Sequence, residues 1–267
     1  MTVVGALPSG SGAAIVNPSA PGSVLFSYSP SGTGTGIYSN TSISAAGANT
    51  IVAPSFDSVS MLQVTPDGST LVFIASTGGV SSLYSVATTG GSTLRIAAAD
   101  TAALSADGTK IAYSSQTTTG EMLSVMALTG ENVSTLTPGT SVDLYPQFSR
   151  DGSTLIFSSN RAASGASSVF DLYTINLSSR AITRVTNSSN SSKFGASFND
   201  QGTQISYVSL STDQTSATGV WVCNSNGTSP SLIWTSDSVG ASTYWSSATG
   251  RAPFGPHLLF QKLSRTK

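Results

Sequence analysis

Residues able to do covalent chemistry are few in this sequence. The only imidazole is His257 and the only thiol is Cys223. Nucleophilic hydrolysis needs a base beside the nucleophile, and no Gly-x-Ser-x-Gly turn accompanies His257, which therefore reads as structural or solvent-facing. One His and one Cys do not make the usual zinc set. Cys223, inside Trp221-Val222-Cys223, reads as a buried small hydrophobe. Glycoside cleavage uses two carboxylates, one with a raised pKa. The glutamates, Glu121 and Glu131, fall in turn-like segments, which leaves a pair of aspartates as the alternative. Aspartate recurs as Asp67, Asp107, Asp151 and Asp200, each just ahead of a glycine in a short polar connection. Asp there accepts hydrogen bonds from nearby amides while Gly supplies positive φ, so the pattern reads as a repeated turn, not as an acid/base or metal pair. No catalytic residue, metal ligand or cofactor is expected.

The elements that would carry these turns are short. Apolar bursts of four or five residues, rich in Val, Ile, Leu, Tyr and Phe, alternate with Gly/Ser/Thr/Asn/Asp clusters, the pattern of strands joined by turns. The best helical segment, Ile96 to Leu104, leads straight into a strand-like burst and a turn. The bursts repeat as a unit. The clearest copy runs from Tyr145-Pro146-Gln147-Phe148-Ser149-Arg150-Asp151-Gly152 through Leu155-Ile156-Phe157-Ser158-Ser159-Asn160-Arg161 and Asp171-Leu172-Tyr173 to Arg184-Val185-Thr186. Further copies surround Gly68, Gly108 and Gly202, with weaker ones at Gly22 and Gly250. Four bursts per unit at this spacing predict an all-β, six-bladed β-propeller of mostly four-stranded antiparallel blades, a single domain over residues 1–267. Phe73, Tyr113, Phe157, Tyr207 and Phe260 alternate with apolar neighbours and are expected between stacked blades. Tyr38, Tyr84, Tyr173 and Trp221 on the third burst are expected to pack, with their polar tips partnered at the blade edges. The sixth unit lacks its third and fourth bursts. The N-terminal segment Thr2 to Leu7 is expected to pair with Leu258–Gln261 and close the last blade.

Composition narrows the partners. Only 9% of the 267 residues are charged, against roughly 25% usual for soluble domains, and the formal net charge is −1. Without a basic run, the electrostatic attraction that dominates nucleic-acid affinity is missing. No stretch approaches the roughly 20 apolar residues of a membrane span, and no signal-peptide pattern opens the chain.

The string Pro-x-Phe-Ser-x-Asp-Gly at 146–152, followed by Phe-x-Ser-Asn-Arg at 157–161, Asp-Leu-Tyr at 171–173 and Val-Thr at 185–186, resembles the repeat of TolB-like six-bladed propellers. The resemblance extends from about Val24 to Phe260. It implies a rigid disc that binds a partner or ligand, set outside the cytoplasm, periplasmic or extracellular. It includes no counterpart of the α/β domain that precedes the propeller in the periplasmic Tol protein.

The mouth of the central channel is the default binding site of a propeller, because loops leading into the first strands shape it. Asp100, Asp143, Tyr145, Lys193, Phe194, Tyr244 and Trp245 stand at those positions. Aromatic anchors among neutral polar groups suit a peptide or a carbohydrate. The sequence therefore points to a non-enzymatic scaffold for a protein or peptide partner. A carbohydrate-binding module, or the propeller of a larger hydrolase, is the alternative.

Overall fold

The structure, a computed structural model, describes residues 11–16, 23–30, 34–40, 47–162, 169–211, 219–235, 241–245 and 258–262. For the strands at 11–16, 241–245 and 258–262 it describes the backbone alone. Every regular element among these residues is a strand, and none is a helix long and apolar enough to cross a membrane.

Six antiparallel sheets follow one another along the chain. Blade 1 contains β1 (Ser11–Val16), β2 (Val24–Tyr28), β3 (Thr35–Asn40) and β4 (Asn49–Phe56). Blade 2 contains β5 (Ser58–Val64), β6 (Thr70–Thr77), β7 (Val80–Ala87) and β8 (Leu94–Ala98), and blade 3 β9 (Thr101–Leu104), β10 (Lys110–Gln116), β11 (Glu121–Ala127) and β12 (Ser134–Thr135). Blade 4 contains β13 (Asp143–Phe148), β14 (Thr154–Ser159), β15 (Asp171–Asn176) and β16 (Ile182–Arg184). Blade 5 contains β17 (Ser191–Phe198), β18 (Gln204–Ser211), β19 (Gly219–Asn224) and β20 (Ser231–Thr235). The last sheet pairs β21 (Ala241–Trp245) with β22 (Leu258–Lys262). In each full blade the strands pair in chain order, and the first strands of successive blades lie against one another. The result is the expected six-bladed propeller. Ile96 to Leu104 falls in β8 and β9, in keeping with the all-β expectation. Thr2 to Leu7, and hence the expected closure of the last blade, lies outside the described residues.

Period-two alternation on each second strand explains the stacking. On β6, Leu71, Phe73 and Ala75 join blade 1 residues Leu25, Ile37 and Val52, whereas Val72 and Ile74 join Ile111, Tyr113 and Met126 of blade 3. On β14, Leu155 and Phe157 face Ala112 and Leu123 of blade 3, and Ile156 faces Ala196, Ile205 and Cys223 of blade 5. Phe73, Tyr113, Phe157 and Tyr207 are buried as expected. The side chain of Phe260 lies outside the described set. Third-strand rings stack on second-strand rings within a blade: Phe26 on Tyr38, Phe73 on Tyr84 and Phe157 on Tyr173, with centroids 5.7–6.0 Å apart. The expected polar partners are missing in two cases. The Tyr173 hydroxyl and the Trp221 indole nitrogen are buried and make no hydrogen bond among the described residues. Stacking decides the position of these rings, and their tips follow.

The repeated turn is a hydrogen-bonded device. Ser105 donates to Asp107 at 2.6 Å and accepts from the Lys110 amide, while Asp107 accepts from the Thr109 amide and Gly108 takes φ +73. Thr65-Asp67 and Ser149-Asp151 repeat the arrangement. These bonds hold the Asp67 carboxyl down at about 2, the Thr65 hydroxyl contributing most and Ser69 next. Blade 5 corrects the sequence reading. Asn199 alone accepts from the Thr203 and Gln204 amides, and Asp200, one residue out of step with the other aspartates, instead pairs with Arg150 of blade 4 at 3.0 Å.

Outer strands are guarded by a second recurring contact. The hairpin between third and fourth strands of blades 2 to 5 leans on the outer edge of the preceding blade at a left-handed residue: Gly90 on Ile51, Gly130 on Ile96, Arg180 on Ser134 and Thr135, and Gly227 on Val185 just past β16. A bare strand edge is a template for wrong pairing, and these contacts cover it. Fourth strands are shorter than the bursts suggested: β12 and β16 end just before Leu136 and Val185. Two glycine substitutions separate strain from collision. Gly152, at φ +68, has nothing near an added Cβ, so Gly152→Ala should cost about 1–2 kcal/mol of backbone strain. Gly227→Ala would add a collision with the Val185 carbonyl oxygen and should cost at least about 3 kcal/mol. Urea titrations of both variants check the order, and equal losses would refute the hairpin contact.

Candidate functional site

First strands kink near their starts. Register slips between Ser60 and Gln63 in β5, Leu144 and Gln147 in β13, and Phe194 and Ser197 in β17, and the left-handed residues there are Met61, Tyr145 and Gly195. A bulge frees backbone groups and re-aims side chains. Here the freed groups staple neighbouring first strands. Gln63 bonds both the Ala102 carbonyl and the Leu104 amide, and the Tyr145 amide donates to Thr101 Oγ1 at 3.0 Å.

Beside that staple stands a carboxylate that the sequence reading set aside. Thr101 Oγ1 and Ser114 Oγ share a hydrogen bond of 2.7 Å, and Ser114 lies near Glu121. Glu121 is not in a turn. It is the first residue of β11, tied through its amide to the Ser141 carbonyl at 2.9 Å. Its Oε2 is buried and has no hydrogen-bond partner among the described residues. Burial, and then the charge of Asp100, pushes Glu121 up; burial alone pushes Asp100 up. Tyr145 is raised by burial and by Glu121. The only sequence signal for Glu121 was its rarity, because the bend that brings β11 to the β9 end is a property of blade pairing.

The remaining candidates divide. The Tyr145 ring meets Phe194 edge-on at 6.0 Å, and Phe194 meets Phe170 at 5.0 Å, so an aromatic row crosses from blade 4 to blade 5. Asp143 is fully buried and accepts from Arg161 at 2.9 Å and from the Ser159 and Ser141 hydroxyls. Lys193 is buried, with Nζ donating to the Ser191 carbonyl and hydroxyl. Tyr244 and Trp245 end β21 at its hairpin, opposite Leu259 and Leu258, and their side chains lie outside the described set. The structure thus gathers Asp100, Asp143, Tyr145, Lys193 and Phe194 with Glu121 and Phe170 over blades 3 to 5. Among the described residues, no group of three His, Cys, Asp or Glu is placed to hold a metal ion. Burial pushes the Cys223 thiol up to about 11, which leaves it a poor nucleophile. His257 lies outside the described residues.

No family model matches the sequence, and no curated protein does. Solved structures do. A putative TolB from Agrobacterium tumefaciens superposes with a TM-score of 0.65 at 16% identity, over 79% of this chain and 76% of the other. TolB from Acinetobacter baumannii gives 0.65 at 16% identity over 89% of this chain and 55% of its own. An oligogalacturonate lyase in complex with manganese gives 0.62 at 14% identity, over 83% and 65%.

The fold is TolB-like.

Within this TolB-like frame, the repeat residues of blade 4 are struts. The Arg161 guanidinium lies 5.1 Å from both the Phe157 and Tyr173 rings and holds Asp143, while the Asn160 side chain accepts from the Val142 amide. Asp171 is held by Arg184 and the Thr186 hydroxyl. Variety at the mouth comes from the other side chains.

The pKa directions make a pH test. A group raised in the native state contributes stability below its unfolded value and loses it as pH rises through the folded one. Glu121→Gln removes that loss. The variant should melt higher than the wild type at pH 7.5, and the gap should close toward pH 4, in calorimetric scans across that range. A constant gap would show that Glu121 is not held in a charge-hostile site.

Proposed function

We propose that the protein is a non-enzymatic recognition scaffold that binds an extended peptide segment of a protein partner at the mouth over blades 3 to 5, in a setting outside the cytoplasm. The observation that carries this reading is the Tyr145–Phe194–Phe170 row, with Asp100 and Glu121 on one side and Lys193 on the other. A peptide offers apolar side chains for the rings and opposite charges for the flanks. Rigidity supports it too. Tyr145 and Phe194 stand on bulged first strands cross-linked to their neighbours, so their positions are fixed before binding and little ordering cost is added. Asp143 acts as a positioning residue, because Arg161 and two hydroxyls already occupy its oxygens.

A carbohydrate ligand is the competing reading, since Tyr and Phe faces ringed by carboxylates also suit sugars. Peptide and glycan arrays probed with the purified protein separate the two. The expected result is a set of peptides whose affinity falls about thirtyfold in Phe194→Ala and in Tyr145→Ala, on the order of 2 kcal/mol for each central aromatic anchor. Retention of glycans alone, with the same sensitivity, would replace the peptide reading. Binding insensitive to both substitutions would move the site away from this mouth.

A further inference from the structure

Lys193 is an unusual lysine. It is only 6% exposed, and an ammonium carries three donors. Two are used within its own strand, by the Ser191 carbonyl at 3.0 Å and the Ser191 hydroxyl at 2.5 Å. Asp171, whose charge acts on Lys193, and Asp143 of the neighbouring first strand are both spoken for. Asp143 pairs with Arg161, and Asp171 accepts from Arg184, the Thr186 hydroxyl and the Ser188 amide. Lys193 joins neither ion pair. Comparison of blades sharpens the point, because Lys193 stands as far ahead of Gly202 as Asp143 stands ahead of Gly152. In blade 4 that position completes an ion pair; in blade 5 it leaves a buried charge with no ion-pair partner among the described residues. A buried charge is costly unless paired.

We propose that Lys193 is the receptor for a carboxylate on the bound ligand, an inference that rests on the mouth being the recognition site. Chemistry favours a carboxylate over a phosphate. One donor unused among the described residues and one positive charge suit a monoanion, and the nearby Asp171 would repel a second negative charge. The group attached to the carboxylate is apolar. Phe170 is fixed beside Lys193 by two bonds, the Lys193 amide donating to the Phe170 carbonyl at 2.8 Å and the Phe170 amide donating to Ser192 Oγ at 3.2 Å, and Phe194 follows in the strand. A chain-terminal or side-chain carboxylate next to an aromatic or aliphatic residue fits this corner. Burial also lowers the Lys193 amine to about 8, the charge of Asp171 opposing the shift, so the site is switched off by mild alkali. Other titratable groups on the strands packed against β17 are Asp143, Tyr145, Asp171, Tyr173, Tyr207 and, on β21, Tyr244, whose side chain lies outside the described set. Burial raises the phenols of Tyr145, Tyr173 and Tyr207, which keeps them protonated as Lys193 titrates.

The test uses N-acetylphenylalanine, its amide, and N-acetyl-aspartyl-phenylalanine amide, titrated into the full chain and followed by NMR at the Tyr145 and Phe194 rings and at the Lys193 ε-carbon. At pH 6.5 one of the two acids should bind about tenfold or more tighter than the neutral amide, and which acid prevails distinguishes a chain end from a side chain. The advantage should vanish at pH 9.5 and in Lys193→Met, and binding should raise the pH at which the ε-carbon titrates. Equal binding of acids and amide at the two rings would overturn the assignment while leaving the mouth intact. An acid advantage that survives in Lys193→Met would overturn it as well. If no probe moves the rings, the mouth reading falls and the assignment with it. The pH and amide comparisons use the wild-type protein, so they decide the matter even if the Met variant does not fold.

Discussion

Burial of each second strand on both faces is the constraint from which the rest of the molecule follows. Leu155 and Phe157 look one way from β14 and Ile156 looks the other, and both directions end in another blade rather than in water. A strand with two buried faces has no place for charge, which is why a chain of 267 residues carries so little of it. Stacking cannot be relaxed at one blade without exposing apolar surface at two. Apolar burial stabilises by roughly 25 cal/mol per Å², so each interface is a large share of the marginal stability that a domain of this size possesses.

Stacking fixes the interior but leaves the strand edges and strand ends to other forces. Outer edges are handled by backbone geometry: in blades 2 to 5 a left-handed residue of the hairpin lets it lie on the outer edge of the blade before. The inner ends are handled by polar groups. There the first strands converge and bulge, and the unsatisfied amides are met by Thr101, Gln63 and Ser114 instead of by a neighbouring ladder. Polarity concentrated by the fold for its own purposes is also what a ligand meets. The Thr101 hydroxyl that satisfies the Tyr145 amide is bonded in turn to Ser114, which lies near Glu121.

Legibility in the sequence tracks these two regimes. Bursts of alternating apolar residues, the turn glycines and the Ser-x-Asp-Gly device are local, and Phe73, Tyr113, Phe157 and Tyr207 were identifiable as core from spacing alone. Asp200 misled because it sits one position away from the acceptor that Asn199 replaces, a difference that only the hydrogen bonds reveal. Glu121 was missed for a deeper reason. Its neighbours Asp100, Ser114 and Tyr145 come from the β8–β9 connection and two other strands, so no short window of sequence contains the site. Conversely, Asp143 looked like a ligand contact, and its commitment to Arg161 depends on the length of the connection that returns Arg161 over the Phe157 and Tyr173 rings.

Repetition makes the mouth variable without making it loose. The repeat position of Tyr145 is filled by Met61 in blade 2, Thr101 in blade 3 and Gly195 in blade 5, all at the same distance from their turn glycines and all but Thr101 on a bulge. A methionine, a hydroxyl, a phenol and a bare backbone therefore stand on equivalent scaffolds around one axis. Thr101 contributes an acceptor to its neighbour. Substitution at such a position changes what the mouth presents while the turn, the second strand and the stacking beneath it are unaffected. The frame answers to packing and the mouth to whatever binds it, which is why likeness at 16% identity carries the fold and leaves the ligand to be decided by side chains such as Glu121, Tyr145 and Lys193.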